Sequence, residues 1–311
     1  MLTRNEMHGV YVLAPTPFKR SGEFDEASFR ENVRRYCEVG VHGIATTGTL
    51  GEFHSIPWMD HKRLIQALVE EIKGGVVSVA GCSGINTDEA IMKTRFAQDC
   101  GVDAVMNVIP FYTKLTRKEC VQYWRDLANE CPEVGLIVYN NPITTNFLVD
   151  AEIFQEISSI PNICGSKEII GYTPLATFSH WLSIAYATDL AYMACDPMLV
   201  PTMMWNGKGT FSEYLPLNPT LILETYRACE RKDWDNAQKL HFQLVEQRNY
   251  VLNAFEYYNP NYNWFCALKA AINAFGFINA GYPHRPYLPL PAKVQERAQK
   301  IVFDRYQRVE L

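Results

Sequence analysis

The sequence lacks most of the features that would assign its 311 residues to a specialised class of protein. No apolar run approaches the roughly 20 residues that a membrane helix needs. Lys and Arg number 29 against 34 Asp and Glu, which gives a net charge of −5. Proteins that bind nucleic acid usually carry a basic surplus instead. We therefore expect neither a membrane nor a nucleic acid among the partners.

Motifs for metals, nucleotides and disulfides are missing as well. The nine cysteines form no CxxC pair, and the seven histidines form no HExxH motif. The sequence contains no P-loop, no GxGxxG and no Gly-x-Ser-x-Gly elbow. Its start lacks the apolar segment of a signal peptide, and no Asn-X-Ser/Thr acceptor occurs with X other than Pro. These absences predict a cytoplasmic protein with no metal, whose cysteines take no part in the chemistry.

The sequence does contain a repeated unit of helix, glycine and short apolar strand. A helical pattern at residues 24–38 ends near Gly40, and apolar residues 41–46 follow it. A second helical pattern at 87–100 ends at Gly101, and residues 102–108 follow. Glycine is favoured after a helix because it adopts positive φ without steric cost. A buried strand directly after such a glycine is typical of parallel βα units.

Eight candidate strands continue this rhythm along the chain, and a wholly helical pattern begins near residue 218. The candidates are residues 9–13, 41–46, 76–80, 102–108, 134–139, 162–167, 183–188 and 207–211. Eight such units predict a (β/α)₈ TIM barrel, because a doubly wound sheet usually has fewer strands. We expect the barrel, with the active site, over residues 1–230 and a C-terminal helical domain over residues 231–311.

Lys167 is the most informative single residue of the barrel. It ends the sixth candidate strand, and reactive groups of a TIM barrel lie at the C-terminal ends of its strands. Burial disfavours the ammonium form of a lysine, so that its amine becomes a nucleophile able to form a Schiff base with a carbonyl. The alternative is a structural salt bridge to a neighbour such as Glu168.

Two further strand ends carry groups that suit such chemistry. Tyr139 ends the fifth candidate strand, where its phenol can relay protons or simply bond a backbone carbonyl. The turn Gly48-Thr49-Leu50-Gly51 follows the second candidate strand. Its backbone N–H groups and its hydroxyl suit a small carboxylate, although a tight strand-to-helix turn would have the same sequence.

Four ordered motifs in these segments resemble the class I pyruvate aldolases, the family of dihydrodipicolinate synthase and N-acetylneuraminate lyase. The motifs are Gly48-Thr49-x-Gly51-Glu52, Pro110-x-Tyr112, Tyr139-x-x-Pro142 and Gly165-x-Lys167-Glu168. The resemblance implies a (β/α)₈ barrel with a C-terminal helical domain, assembled as a homotetramer. It also implies that pyruvate forms an imine on Lys167, that Tyr139 relays protons, and that no separate cofactor is needed.

The same resemblance assigns substrate-binding residues. Gly48, Thr49 and Leu50 would hold the pyruvate carboxylate, and the backbone carbonyl of Phe211 would line the same pocket. Dihydrodipicolinate synthases have a second Thr at the position of Leu50 and an Arg shortly after the Tyr motif, which the segment 142–146 lacks. An apolar Leu50 and a neutral Thr144 cannot pair with the carboxylate of a second substrate.

The chain is more similar to the hydratase-aldolases of the trans-o-hydroxybenzylidenepyruvate type. Tyr139-Asn140-Asn141-Pro142 resembles their Tyr-Ala-Asn-Pro, which would place Asn141 at the substrate's hydroxyl or water, and Tyr112 takes the position of their stacking Trp. The resemblance implies cleavage of an aromatic pyruvate adduct, with water, to an aromatic aldehyde and pyruvate. Two alternatives stay open: a family lyase for a sugar acid or aliphatic aldehyde, and a non-catalytic ligand-binding barrel.

Overall fold

The fold is a closed barrel of eight parallel strands, as the sequence predicts. A computed structural model of the chain describes residues 1–73, 75–169 and 178–307. The strands follow one another around the barrel in chain order. They are β1 (Gly9–Leu13), β2 (Gly43–Thr46), β3 (Val77–Gly81), β4 (Ala104–Asn107), β5 (Gly135–Asn140), β6 (Ile163–Glu168), β7 (Ala191–Cys195) and β8 (Gly209–Ser212). The prediction of a TIM barrel followed by C-terminal helices is confirmed.

Helices alternate with the strands and then continue alone to the end of the described chain. They are α1 (Glu26–Glu38), α2 (Trp58–Glu71), α3 (Thr87–Asp99), α4 (Arg117–Glu130), α5 (Pro142–Thr145), α6 (Ala151–Ile157), α7 (Phe178–Ala187), α8 (Leu199–Met204), α9 (Pro219–Glu230), α10 (Trp234–Ala254), α11 (Trp264–Phe275) and α12 (Ala292–Phe303). Local side chains fix several starts: Asp25 accepts from Ser28 N, and Thr116 forms a capping box with Glu119. Gly40 and Gly101 take the positive φ expected after α1 and α3.

The predicted position of the seventh strand is wrong. Residues 183–188 were expected to form it, but residues up to Ala187 belong to α7, and β7 lies at Ala191–Cys195. The residues from Ser183 to Thr188 form a short apolar run, and such a run does not distinguish a buried helix from a buried strand. The sequence of β7, Ala-Tyr-Met-Ala-Cys, contains no β-branched residue, so its strand propensity is weak.

The chain divides into two compact units that do not follow chain order. The barrel unit, Met1–Tyr11, His42–Ala45 and Val77–Ser212, contains β3–β8 and most of β1 and β2. The helical unit, Val12–Val41, Thr46–Val76 and the chain from Glu213 onward, contains α1, α2 and α9–α12. The predicted boundary at residue 230 stays a prediction. Among the described helices, none combines the length and apolarity needed to cross a membrane.

The strand register of the barrel unit decides which side chains share its interior. Tyr139 pairs with Lys167, and Lys167 pairs with Met193, so these three residues lie side by side on β5, β6 and β7. Cys195 pairs with Phe211 one layer further along. Gly165, two residues before Lys167, allows close packing beneath this layer, because a Cβ there would lie 2.2 Å from the Ala191 carbonyl oxygen. Alternation along each strand sends Asn140 and Glu168 to the opposite face.

Candidate active site

Lys167 lies at the C-terminal end of β6 inside the barrel and is only 2% exposed. Its Nζ lies 3.8 Å from the centroid of the Tyr139 ring and 5.6 Å from that of Phe211. A cation over an aromatic face is attracted by the ring quadrupole. Glu168, the alternative salt-bridge partner, instead contacts Asn140 and His180 on the other face of the strand. The structure therefore favours the interpretation of Lys167 as a buried amine directed into the barrel.

Tyr139 and Asn141 form a polar pair beside this amine. Asn141 Nδ2 donates a hydrogen bond of 3.2 Å to the hydroxyl of Tyr139. Both side chains are buried, with exposures of 5% and 6%. Asn141 Oδ1 is also buried and accepts no hydrogen bond from any described residue. Since a buried acceptor left unpaired costs roughly 1–3 kcal/mol, this oxygen is suited to a donor that a ligand would bring.

Aromatic side chains form the apolar wall of the same interior. Phe211 is fully buried, and its ring meets that of Tyr11 edge-to-face with centroids 5.4 Å apart. The structure thus brings together four predicted site residues, Lys167, Tyr139, Asn141 and Phe211. The register adds Cys195 beside Phe211. Sequence reasoning missed Cys195 because it placed the seventh strand too early in the chain.

Tyr112 does not join this cluster within the chain. It lies in the segment between β4 and α4 and is 88% exposed. An exposed tyrosine of this size buries little of its ring, so this structure gives it no share in the interior wall. Its predicted contact with substrate stays a prediction.

The predicted carboxylate-binding turn lies in the helical unit and has a constrained backbone. Glu52 N donates to Thr49 O at 3.0 Å, and Phe53 N donates to Gly48 O at 3.2 Å. A Cβ at Gly51 would lie 2.7 Å from the backbone nitrogen of Thr47, so only glycine fits there. Gly48 and Leu50 are buried, whereas Thr49 is partly exposed.

A buried ion pair anchors the end of this turn. Lys269 Nζ donates to Glu52 Oε1 at 2.6 Å and to the carbonyl oxygens of Thr16 and Tyr282, and His284 N donates to Glu52 Oε2. Burial lowers the pKa of Lys269, and the charge of Glu52 opposes that shift. Glu52 holds a positive φ of 61° here. The pair therefore ties the turn to α11 and to the segment after it.

Two buried cysteines, Cys164 and Cys266, have thiols that resist ionisation. Burial raises the pKa of the Cys164 thiol, on the same strand as Lys167, to about 12, and that of Cys266 to about 12 as well. A thiol in that state is a poor nucleophile at neutral pH. Within the described ranges, no three His, Cys, Asp or Glu residues are grouped so that they could hold a metal ion.

A second polar network lies behind the strand ends and escaped sequence reasoning. Asn140, Glu168 and His180 are all buried, and Asn140 Nδ2 lies 2.9 Å from Glu168 Oε2. The signal was present in the alternation of β5 and β6, which puts the residue after Tyr139 and the residue after Lys167 on one face. His180 has no comparable signal, because it comes from α7, where a strand was expected nearby.

Comparison with known proteins agrees with this geometry. A profile described as the dihydrodipicolinate synthetase family matches residues 6–304. The chain is 30% identical to 4-hydroxy-tetrahydrodipicolinate synthase of Desulfotalea psychrophila over 285 residues, 92% of each chain. A crystal structure of dihydrodipicolinate synthase matches with a TM-score of 0.84 and 25% identity, covering 96% of this chain and 99% of that one. The structure of PhdJ bound to a substrate intermediate matches with a TM-score of 0.80 and 21% identity, covering 97% and 96%.

The profile spans nearly the whole chain, and the solved structures reproduce its barrel and C-terminal helices. The chain belongs to the dihydrodipicolinate synthetase family.

Proposed function

We propose that the protein is a Schiff-base-forming pyruvate lyase of the hydratase-aldolase type. Its substrate would be an aromatic benzylidenepyruvate, which water converts to an aromatic aldehyde and pyruvate in a reversible reaction. The catalytic residues would be Lys167 and Tyr139. Asn141, Phe211, Tyr112 and the turn residues Gly48, Thr49 and Leu50 would bind substrate, with the turn holding the pyruvate carboxylate.

One observation carries the proposal: a buried amine, a phenol and an unpaired amide oxygen lie next to one another. Lys167 Nζ contacts the Tyr139 ring, and the hydroxyl of that ring accepts the hydrogen bond of Asn141. The remaining acceptor of Asn141 has no described partner. A hydroxyl of the substrate, or the water that adds to it, would supply the missing donor.

The reaction would begin when Lys167 Nζ attacks the ketone carbon of the substrate and a water molecule leaves, forming an iminium ion. Water, oriented by Asn141 Oδ1, would add to the benzylic carbon and lose a proton, while the electrons of the conjugated double bond pass to the iminium nitrogen and give an enamine. Protonation of the enamine at the carbon next to the imine carbon would then restore the iminium ion, now hydrated. Tyr139 would move protons to and from the reacting oxygens, a role worth about 10²- to 10⁴-fold in rate.

Carbon–carbon cleavage would follow from the hydrated iminium ion. The new hydroxyl loses its proton and becomes the aldehyde carbonyl, while the electrons of the broken bond pass to the imine nitrogen and give an enamine. Protonation of the enamine carbon and hydrolysis of the imine then release pyruvate and free Lys167. The imine is the electron sink, so the proposal requires no separate cofactor.

The residues that would meet the second substrate are apolar or neutral. Leu50 is buried, and Thr144 is neutral and exposed. Neither supplies a cation for a distal carboxylate, whereas the rings of Phe211 and Tyr11 provide an apolar wall. This composition favours an aromatic acceptor over a charged one.

A second candidate is the reaction named for the curated relatives, the synthesis of 4-hydroxy-tetrahydrodipicolinate. The identity of 30% over 92% of both chains favours it, while the absence of an Arg in the segment 142–146 opposes it. A lyase acting on a sugar acid or an aliphatic aldehyde would use the same amine and phenol. A homotetramer and a cytoplasmic location remain predictions.

Turnover of a substrate panel separates these candidates. The panel contains trans-o-hydroxybenzylidenepyruvate, a sialic acid, a deoxy-keto sugar acid and the substrates from which 4-hydroxy-tetrahydrodipicolinate is made. The readout is the release or consumption of pyruvate. We expect the highest kcat/KM for the benzylidenepyruvate. Lys167→Met serves as the inactive control. A higher kcat/KM for a sugar acid or for the synthase reaction would refute the proposed substrate class.

A further inference from the structure

A buried polar cluster lies on the outer face of β5 and β6, directly behind the Lys167 amine. Asn140 and Glu168 are 1% exposed, and His180, from α7, is 7% exposed. The strand register pairs Asn140 with Glu168 and, one residue earlier, Tyr139 with Lys167. Because side chains alternate along a strand, the reactive pair and this cluster lie on opposite faces of the same two strand ends. The proposed reaction uses none of the three side chains.

Within the cluster, the side chain of Asn140 bonds a backbone segment as a neighbouring strand would. Its Oδ1 accepts from the backbone nitrogen of Val149, and its Nδ2 donates to the backbone oxygen of Val149, both at 3.0 Å. These two bonds close the segment from Asn141 to Val149, which contains the short helix α5. Within the same segment, the Thr145 hydroxyl donates a hydrogen bond of 2.9 Å to the Asn141 carbonyl oxygen.

Val149 and Glu168 together hold the Asn140 amide in one orientation. An asparagine amide has two N–H donors and one acceptor oxygen. One donor of Asn140 serves Val149 O, and the other points to Glu168 Oε2 at 2.9 Å. A flipped amide would place its oxygen against the carboxylate and lose both bonds to Val149. His180 Nε2 lies 3.4 Å from Glu168 Oε2 and 3.4 Å from Asn140 Nδ2, on the remaining side of the cluster.

We propose that Glu168 is a positioning residue that acts through Asn140 on Tyr139 and Asn141. Asn140 lies between these two residues in the chain, so fixing its side chain fixes the backbone that presents the phenol and the unpaired Asn141 Oδ1. This inference rests on the proposed function for its effect on catalysis. Misplacement of a reacting group by about 1 Å can cost about 100-fold in rate. Lys167 lies on β6, outside the segment that Asn140 closes, so we expect imine formation to depend less on that segment.

The test separates imine formation from the carbon–carbon step. Glu168→Leu removes the acceptor, and we expect kcat for cleavage to fall about 10- to 100-fold because the phenol and the Asn141 amide are displaced. The pyruvate concentration for half-maximal borohydride trapping should stay within about twofold of the wild-type value, since the backbone of Lys167 is held between β5 and β7 rather than by the segment 141–149. Glu168→Gln can still accept through its amide oxygen, so it should retain most of the activity.

A double variant tests the coupling between the two side chains. Asn140→Asp removes the donor and places a second carboxylate beside Glu168, so it should lower kcat at least as much as Glu168→Leu. Adding Glu168→Gln to Asn140→Asp supplies an N–H donor to the new carboxylate and should recover part of the loss. Independent effects, in which the second substitution lowers kcat further, would overturn the proposed coupling.

Amide hydrogen exchange gives a readout that does not depend on activity. In Glu168→Leu, the peptide that contains residues 141–149 should exchange faster than in the wild type, because the Asn140 amide that accepts from Val149 N loses its bond to Glu168 and is held less firmly. Ser78→Ala is the matched control, since it removes a buried hydroxyl that bonds Asp103 at the start of β3. It should leave both the exchange of 141–149 and kcat unchanged.

Two results would overturn the inference. One is a folded Glu168→Leu variant with wild-type kcat and wild-type exchange in 141–149. The other is a Glu168→Leu variant that loses trapping and turnover in parallel, when Ser78→Ala shows the same losses at an equal loss of stability. That result would indicate that Glu168 only stabilises the fold. If the proposed function is wrong, borohydride will not trap pyruvate on the wild-type protein. The exchange comparison would still show whether Glu168 positions the segment 141–149.

Discussion

Replacing Tyr139 by Phe tests the proposed proton relay without disturbing the packing. The ring over the Lys167 amine is retained, and only the hydroxyl that accepts from Asn141 Nδ2 at 3.2 Å is removed. A general acid–base group is worth about 10²- to 10⁴-fold, so the barrier should rise by about 3 to 5 kcal/mol. The unpaired Asn141 N–H should cost about 1–3 kcal/mol of stability.

The assay compares kcat for cleavage with the extent of borohydride trapping of pyruvate. We expect Tyr139→Phe to lose turnover by at least about 10²-fold while Lys167 still forms the imine, if more slowly. Tyr123→Phe is the matched control, because Tyr123 is also buried and its hydroxyl donates to Val108 O at the same distance of 3.2 Å. Turnover of Tyr139→Phe within about threefold of the control would refute the reasoning.

Three further experiments test the surroundings of the site. Gly51→Ala should destabilise the fold by about 1–3 kcal/mol in urea unfolding, because the new Cβ would lie 2.7 Å from Thr47 N; a loss below about 0.5 kcal/mol would contradict this. Lys269→Met should cost about 3–5 kcal/mol because it leaves the buried Glu52 carboxylate without its counter-ion, and adding Glu52→Gln should restore part of that stability; no recovery in thermal unfolding would contradict the pairing. Burial raises the pKa of Cys164 from 9.0 to about 12, so its thiol stabilises the fold below pH 9, and this contribution is lost as the pH rises through 9 to 12. Between pH 9 and 12, the free energy of unfolding of Cys164→Ala should therefore fall less steeply with pH than that of the wild type, by up to about 1.4 kcal/mol per pH unit. Parallel pH profiles of the variant and the wild type would refute this assignment.

The barrel was predictable from the sequence because local signals and global fold agree. Gly40 and Gly101 marked two helix ends at which the structure has positive φ, and apolar strands followed them. The seventh strand was not predictable in the same way. Neither its own residues nor the preceding apolar run has a hydrophobic periodicity that distinguishes a strand from a helix. Its position is instead fixed by pairing with its neighbours β6 and β8.

The candidate site was predictable to the extent that it lies at strand ends. Lys167 and Tyr139 follow from the rule that barrel chemistry lies at the C-terminal ends of the strands, and the register confirms that they are neighbours. The hydrogen bonds of Asn140 to Val149 required coordinates, because a side chain that takes the place of a neighbouring strand leaves no periodic signal. Tyr112 was expected at the substrate, yet within a single chain it is exposed, a property that no local pattern reports.

The central claim is that Lys167 forms an imine with pyruvate, and borohydride reduction tests it most directly. The protein is incubated with pyruvate, reduced, digested and analysed by mass spectrometry, with Lys167→Met and pyruvate-free samples as controls. We expect one reduced pyruvate per chain, on the peptide that contains Lys167. An unmodified Lys167 peptide from protein shown to be folded, or modification at another lysine only, would contradict it.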